Sequence, residues 1–195
     1  MEITALSKIM LWAPIPITGR LVLLLLVVLA IVEIAAFVMR PPRTTKPREI
    51  FSMIAIGFCA STWLFNLWEG TTDPMLPSWT GVLGVILFAC GIALRTVAFW
   101  QLGKFYDPAV TIHHDHRLVQ TGLYRFMRHP LYVGSLLLFL GFSLAFSSGI
   151  GLVVFCILVI PIFLWRVHIE ERELHTYFGN TWTAYAQKTR RWGLF

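Results

Sequence analysis

Residues 131–165 read LYVGSLLLFLGFSLAFSSGIGLVVFCILVIPIFLW, a run of 35 positions without a charged side chain. A helix rises about 1.5 Å per residue, so a single helix of that length would far overrun the roughly 30 Å of hydrocarbon in a bilayer. Ser147-Ser148-Gly149 divides the run into two arms, roughly 131–147 and 150–167, joined by a very tight turn. The expected element is a helical hairpin inside the membrane. Gly134, Gly141, Gly149 and Gly151 are read as the small residues that let its arms approach, and Pro161 as a kink in the second arm.

Outward from the hairpin, three further stretches reach the roughly 20 apolar residues that a span needs. Residues 21–39 carry Glu33 as their only charge, residues 50–68 carry none, and residues 81–100 carry Arg95 near their end. The apolar Ile9-Met10-Leu11-Trp12 is followed by Pro14 and Pro16, so the segment before Leu21 is read as an interfacial piece. Across the chain 57% of residues are hydrophobic and 13% charged, about half the charged share of a soluble protein. Such a chain cannot cover a water-facing surface. The expected fold is an all-α integral membrane bundle of about five transmembrane helices, with the hairpin as spans four and five.

The formal charge of +6 does not indicate nucleic acid, because the basic residues flank apolar segments and form no single basic face. Arg40, Arg43, Lys46 and Arg48 lie between spans one and two. Lys104, Arg117, Arg125 and Arg128 lie between spans three and four, and Arg166, Arg172, Lys188, Arg190 and Arg191 follow span five. The opposite side holds only Lys8 and Arg20, and the loop 69–80 carries Glu69 and Asp73. The expected orientation therefore places the N-terminus outside and the C-terminus in the cytoplasm. The first long apolar run ends in Met39-Arg40-Pro41-Pro42 without a small-residue cleavage site, so no cleaved signal peptide is expected. Cys59, Cys90 and Cys156 fall in three different apolar segments without metal spacing and are read as small core residues.

Both large polar segments, 101–130 and 166–195, then fall on one face, returned there by the hairpin. They hold all six histidines together with Glu170, Glu171 and Glu173. Residues 1–100 are read as an N-terminal membrane region and 101–195 as the catalytic region. Three constellations stand out. In Arg128-His129-Pro130-Leu131-Tyr132, Pro130 suits the first turn of a helix, and the amides after it, with Arg128 and His129, suit an anion. The plainer reading is a Pro-initiated span with an arginine anchor. Arg166 and Glu170 share a helix face near the bilayer, where charge is costly and functional; Glu171, Arg172 and Glu173 read as a solvated turn laced with ion pairs. His113-His114-Asp115-His116 invites a metal, but adjacent side chains seldom converge on one ion and no second cluster completes a shell, so no metal is expected. The tail around Gly179 reads as a short amphipathic helix with a glycine break.

Gly122-Leu123-Tyr124, Arg128-His129-Pro130-Leu131-Tyr132-Val133-Gly134, the apolar hairpin, Glu170-Glu171, Tyr177-Phe178-Gly179 and Tyr185 together resemble the isoprenylcysteine carboxyl methyltransferase family, part of a wider group that includes the phospholipid methyltransferases. The resemblance covers about residues 100–195. It implies a cytoplasmic site for S-adenosylmethionine, released as S-adenosylhomocysteine, with contacts from His116, Arg117, Leu118, Val119, Tyr124, His129, Pro130, Leu131, Tyr132 and Glu170. It assigns Arg166 to the substrate end, making Arg166 and Glu170 the expected catalytic pair, and implies a prenylated cysteine or other lipid-linked carboxylate entering laterally from the bilayer. Where family members carry an upstream glutamine, this chain has Thr111 nearby in a shorter loop. The alternatives are a phospholipid amine methyltransferase, with Glu170, Glu171 or His129 as proton acceptor, and a membrane reductase of sterol-reductase type, for which no GxGxxG fingerprint is present.

Overall fold

A computed structural model describes residues 15–39, 66, 75–106 and 117–193, the side chains of 32–39 excepted. The expected span at 50–68 (apart from Asn66), the segment before residue 15, Cys59, Thr111 and the His113–His116 cluster lie outside the described residues. The described regular elements are helical: α1 (Ile17–Met39), α2 (Trp79–Leu102), α3 (Pro130–Ala145), α4 (Gly149–Val154), α5 (Ile160–Phe178) and α6 (Asn180–Lys188). Among the described residues the one β-type contact is a bridge between Met127 and Arg190. Two helical runs are long and apolar enough to cross a membrane, Trp79–Phe105 with 27 residues and Gly149–Phe178 with 30; α3 and the start of α1 are shorter apolar helices.

The hairpin forms where the sequence divides. Ser147 takes a φ of 54°, which reverses the chain in one step. Ser147 and Ser148 are buried, so the turn has to satisfy its own backbone groups. Ser148 N donates to Ser143 O at 2.9 Å, and Gly151 N donates to Ser148 Oγ at 2.8 Å. Met75 N and Leu76 N both donate to Ser147 O, at 3.1 and 3.0 Å, so the segment before α2 closes over the turn.

The glycines do a different job from the one expected. Gly134 and Gly141 do not join the two hairpin arms; they face α2. A Cβ on Gly141 would lie 2.6 Å from the Phe88 amide nitrogen, and one on Gly91 would lie 2.8 Å from Gly134 O. Gly84, Gly91, Gly134 and Gly141 thus form a seam where the α2 and α3 backbones touch, the closest form of helix association available in lipid. Gly149 meets Met75, and Gly151 meets Asn66 and Ser148. The hairpin arms meet through larger groups: Phe139 of α3 packs with Phe155, Val159 and Phe163, and the Phe139 and Phe163 rings stand edge to face at 5.9 Å. A second core joins Val22 and Leu29 of α1 to Phe88, Leu138, Phe142 and Phe146.

Two further expectations are revised. Pro161 lacks an amide hydrogen and its ring crowds the carbonyl four residues earlier. The chain relieves this with a π-helical turn at Phe155–Val159, just before the proline, so the helix continues. It does not stop near residue 167 but runs through Arg166 and Glu170 to Phe178. Thirty residues rise about 45 Å, half again the hydrocarbon thickness, so the last third of this run stands clear of it. Cys90 and Cys156, read as core residues, are exposed on the helix surfaces beside Val82, Ile86, Val153 and Ile157, an apolar exterior suited to lipid.

The seam tolerates no side chain. Gly141→Val and Gly84→Val are each expected to cost about 1–3 kcal/mol by overpacking, read as a lowered unfolding temperature in detergent. Unchanged midpoints in both would show that the two backbones are not in contact.

Candidate active site

The site begins with how the loop before α3 is held. Gly122 takes a φ of 61° and sits over Gln101, whose Oε1 accepts Leu123 N at 2.8 Å. This starts the 3-10 turn Gly122–Arg125, which buries Tyr124. Tyr124 Oη donates to Ala98 O at 3.4 Å, and its own carbonyl accepts from Tyr185 Oη at 2.6 Å. Burial pushes the Tyr124 phenol up and that of Tyr185 up to about 12, so both remain proton donors at neutral pH. The loop is thereby tied to α2 on one side and α6 on the other. Pro130 then opens α3. The free amides expected there are mostly used within the turn, since Tyr132 N and Val133 N both donate to His129 O at 3.1 Å. The anion-holding capacity lies in the side chains.

Those side chains form two adjoining clusters. In the first, Arg166 of α5 is buried, with 6% of its surface exposed. Its Nε donates to Tyr132 Oη at 2.9 Å, and Tyr132 Oη donates to Glu170 Oε2 at 2.6 Å. One phenol from α3 therefore bridges the cation and the acid that sit four residues apart on α5. The Tyr132 ring is fixed edge-on against Phe163 at 5.8 Å and tilted against His129 at 5.7 Å.

The second cluster centres on Glu171. Its Oε1 lies 3.1 Å from Arg128 Nη1 and 3.1 Å from His129 Nε2, and Arg191 Nε donates to it at 3.2 Å. Its Oε2 accepts from Arg191 Nη2. Arg128 N donates to Arg190 O at 2.9 Å, and Trp192 lies against His129 at 6.1 Å. A carboxylate on α5 thus clasps the entry of α3 and the C-terminal segment together. Burial acts to raise the Glu171 carboxyl, but the hydrogen bonds from His129 and Arg191 and the charges of His129 and Arg128 prevail and hold it at about 2.

Of the residues expected at the site, Tyr132, Arg166 and Glu170 are in contact, and His129 and Pro130 are buried beside them. Leu131 is half-buried in the same turn and Tyr124 lies behind the loop. Leu118 and Val119 are half-buried and Arg117 is exposed, while His116 lies outside the described residues. Glu171 is not the solvated residue expected: its partners come from two distant segments, a pairing that i, i+4 spacing cannot reveal. In the sequence Arg191 reads only as positive charge after span five, and Trp192 carries no signal of its own. Among the described residues no group of three His, Cys, Asp or Glu side chains can hold a metal ion.

Residues 79–181 match the family described as phospholipid methyltransferase. The chain is 31% identical over 129 residues to a probable protein-S-isoprenylcysteine O-methyltransferase of Oryza sativa, covering 64% of this chain and 68% of the relative. It is 30% identical to protein-S-isoprenylcysteine O-methyltransferase B of Arabidopsis thaliana, covering 56% and 57%, and 32% identical to the Saccharomyces cerevisiae enzyme, covering 55% and 46%. Its fold is similar to that of a eukaryotic intramembrane isoprenylcysteine carboxyl methyltransferase, with a TM-score of 0.59 at 22% identity over 78% of this chain and 55% of the other. The chain therefore spans between about half and two thirds of these relatives.

A carboxyl held low in the folded state contributes its full stability above its unfolded range and loses it as pH falls through its folded value. Glu171→Gln is expected to cost about 2 kcal/mol at pH 7, because Arg128 and His129 lose their anion; solvent at Arg191 screens its share. The gap between wild type and variant in unfolding free energy should close as pH falls from about 4.5 to about 2. A gap of the same size at both ends of that window would contradict the clasp.

Proposed function

Since the chain belongs to the phospholipid methyltransferase family, and within it groups with the protein-S-isoprenylcysteine O-methyltransferases, we propose that it transfers a methyl group from S-adenosylmethionine to the C-terminal carboxylate of an isoprenylated cysteine or a related lipid-linked carboxylate. The observation that carries this reading is the buried Arg166, bridged through Tyr132 to Glu170. A buried guanidinium at the edge of a membrane helix suits a carboxylate brought out of water, and its planar fork matches both carboxylate oxygens.

The residues present fit the donor. Its methionine part carries a cationic amine and a sulfonium, and Glu170 supplies an anion beside the aromatic faces of Tyr132 and His129. Leu118, Val119 and Tyr124 are the further candidates for holding its nucleoside part. When bound, the donor supplies an electrophilic methyl group. The protein's own residues have a simpler task. An acceptor carboxylate is ionised at neutral pH and needs no base. Arg166 holds it, Tyr132 and Glu170 hold Arg166 in orientation, and Phe163 helps keep water from the junction, so that proximity does most of the work.

In this reading residues 101–195 form the catalytic region and 1–100 the membrane region that supports it. Five spans carry the chain, with the N-terminus outside and the site at the cytoplasmic face. The prenyl tail enters sideways between helices and the polar donor enters from the cytoplasm. Amine methylation is less well supported, because two of its three candidate bases, Glu171 and His129, are bound to each other. Membership of a methyltransferase family takes the place of the reductase reading.

With purified protein, methyl transfer is expected to a prenylcysteine analogue and not to phosphatidylethanolamine. Arg166→Ala should lower kcat/KM by about a hundredfold or more while leaving S-adenosylhomocysteine affinity in place; Glu170→Ala should weaken that affinity as well. Wild-type activity in both variants, or transfer only to phosphatidylethanolamine, would overturn the assignment.

A further inference from the structure

Beside the clasp, a cleft of about 490 Å³ opens between Arg128, the end of α6 and the C-terminal segment, and Tyr132, Arg166 and Glu170 are not among its lining residues. Arg128, Lys188, Thr189, Arg190, Arg191 and Trp192 line it, and none of its lining residues is acidic. Four cations thus share one hollow, and Glu171, the carboxylate that Arg128 and Arg191 bind, already serves both of them and His129. Arg128 Nε is buried and makes no hydrogen bond among the described residues, and its guanidinium lies over the Trp182 ring at 5.9 Å. Like charges gathered in a cleft repel one another and focus a positive potential outward. A bound anion relieves that repulsion.

We infer that this cleft is a binding site for a phosphate-bearing anion, separate from the methyl-transfer site. Its volume is that of a small-molecule pocket, larger than one free phosphate requires. Its position favours a lipid headgroup as the source. The helical run Gly149–Phe178 outlasts the hydrocarbon layer by about a third of its length, and α6 with the C-terminal segment packs at that emerging end. Basic pockets at this level meet the headgroups of anionic lipids, each lysine or arginine contributing about a fivefold gain in affinity. The inference rests on the membrane placement and not on the methyl-transfer chemistry, so either can fail without the other.

The test uses the full chain in detergent and follows its unfolding temperature against added phosphatidylglycerol, phosphatidylcholine or inorganic phosphate. Saturable stabilisation by phosphatidylglycerol and not by phosphatidylcholine is expected. Lys188→Gln and Arg190→Gln, both exposed positions outside the methyl-transfer machinery, should each weaken it roughly fivefold. Circular dichroism and the unfolding temperature without added lipid should be unchanged in both, which reports that they are folded. Equal saturation by inorganic phosphate alone would keep the anion site and make free phosphate its source. No anion effect, an effect undiminished in the two variants, or displacement of the lipid by S-adenosylhomocysteine would each overturn a separate site.

Discussion

The Tyr132 hydroxyl, shared between Arg166 and Glu170, is the contact on which the site depends. A guanidinium and a carboxylate placed near hydrocarbon are costly to desolvate, and they persist there only when each has a well-placed polar partner. Tyr132 provides this for both at once, and it comes from the other arm of the hairpin. The site is therefore not a property of either helix. It exists because a turn of three residues returns the chain and sets α3 and α5 side by side.

The scaffold keeps that registration with two kinds of packing. Small residues hold α3 to α2 by backbone contact, while aromatic residues hold α3 to the second arm. The first contact fixes a distance and the second fills a volume. The Glu171 clasp draws the α3 entry and the C-terminal segment onto α5, and it holds His129, whose ring also lies against Tyr132. A carboxylate held by two arginines and an imidazole is firm only while it stays ionised, which its lowered titration ensures over the neutral range.

Much of this was legible in the sequence because lipid imposes simple rules. Apolar length marks the two long helical runs at Trp79–Phe105 and Gly149–Phe178, Ser147-Ser148-Gly149 marks the hairpin, and the ordered motifs single out Tyr132, Arg166 and Glu170, which the fold brings into contact. What was not legible depended on which face of each helix points where. Gly134 and Gly141 look the same in sequence whether they meet α2 or α4, and only the three-dimensional arrangement assigns them to α2. The π-helical turn before Pro161 was hidden because the proline signals strain without saying how the backbone relieves it. Glu171 reads in the sequence as part of a solvated, ion-paired turn because its partners lie 43 residues before it, at Arg128, and 20 after it, at Arg191.

The account as a whole requires the loop before α3 and the end of α5 to lie on one side of the bilayer. The most direct measurement places single cysteines at Arg117 and His175, both exposed, in a chain whose Cys59, Cys90 and Cys156 are replaced, and reconstitutes it in sealed vesicles. A membrane-impermeant maleimide should label the two positions from the same face in every preparation. Labelling from opposite faces would separate Tyr132 from Glu170 by the thickness of the membrane and contradict the account.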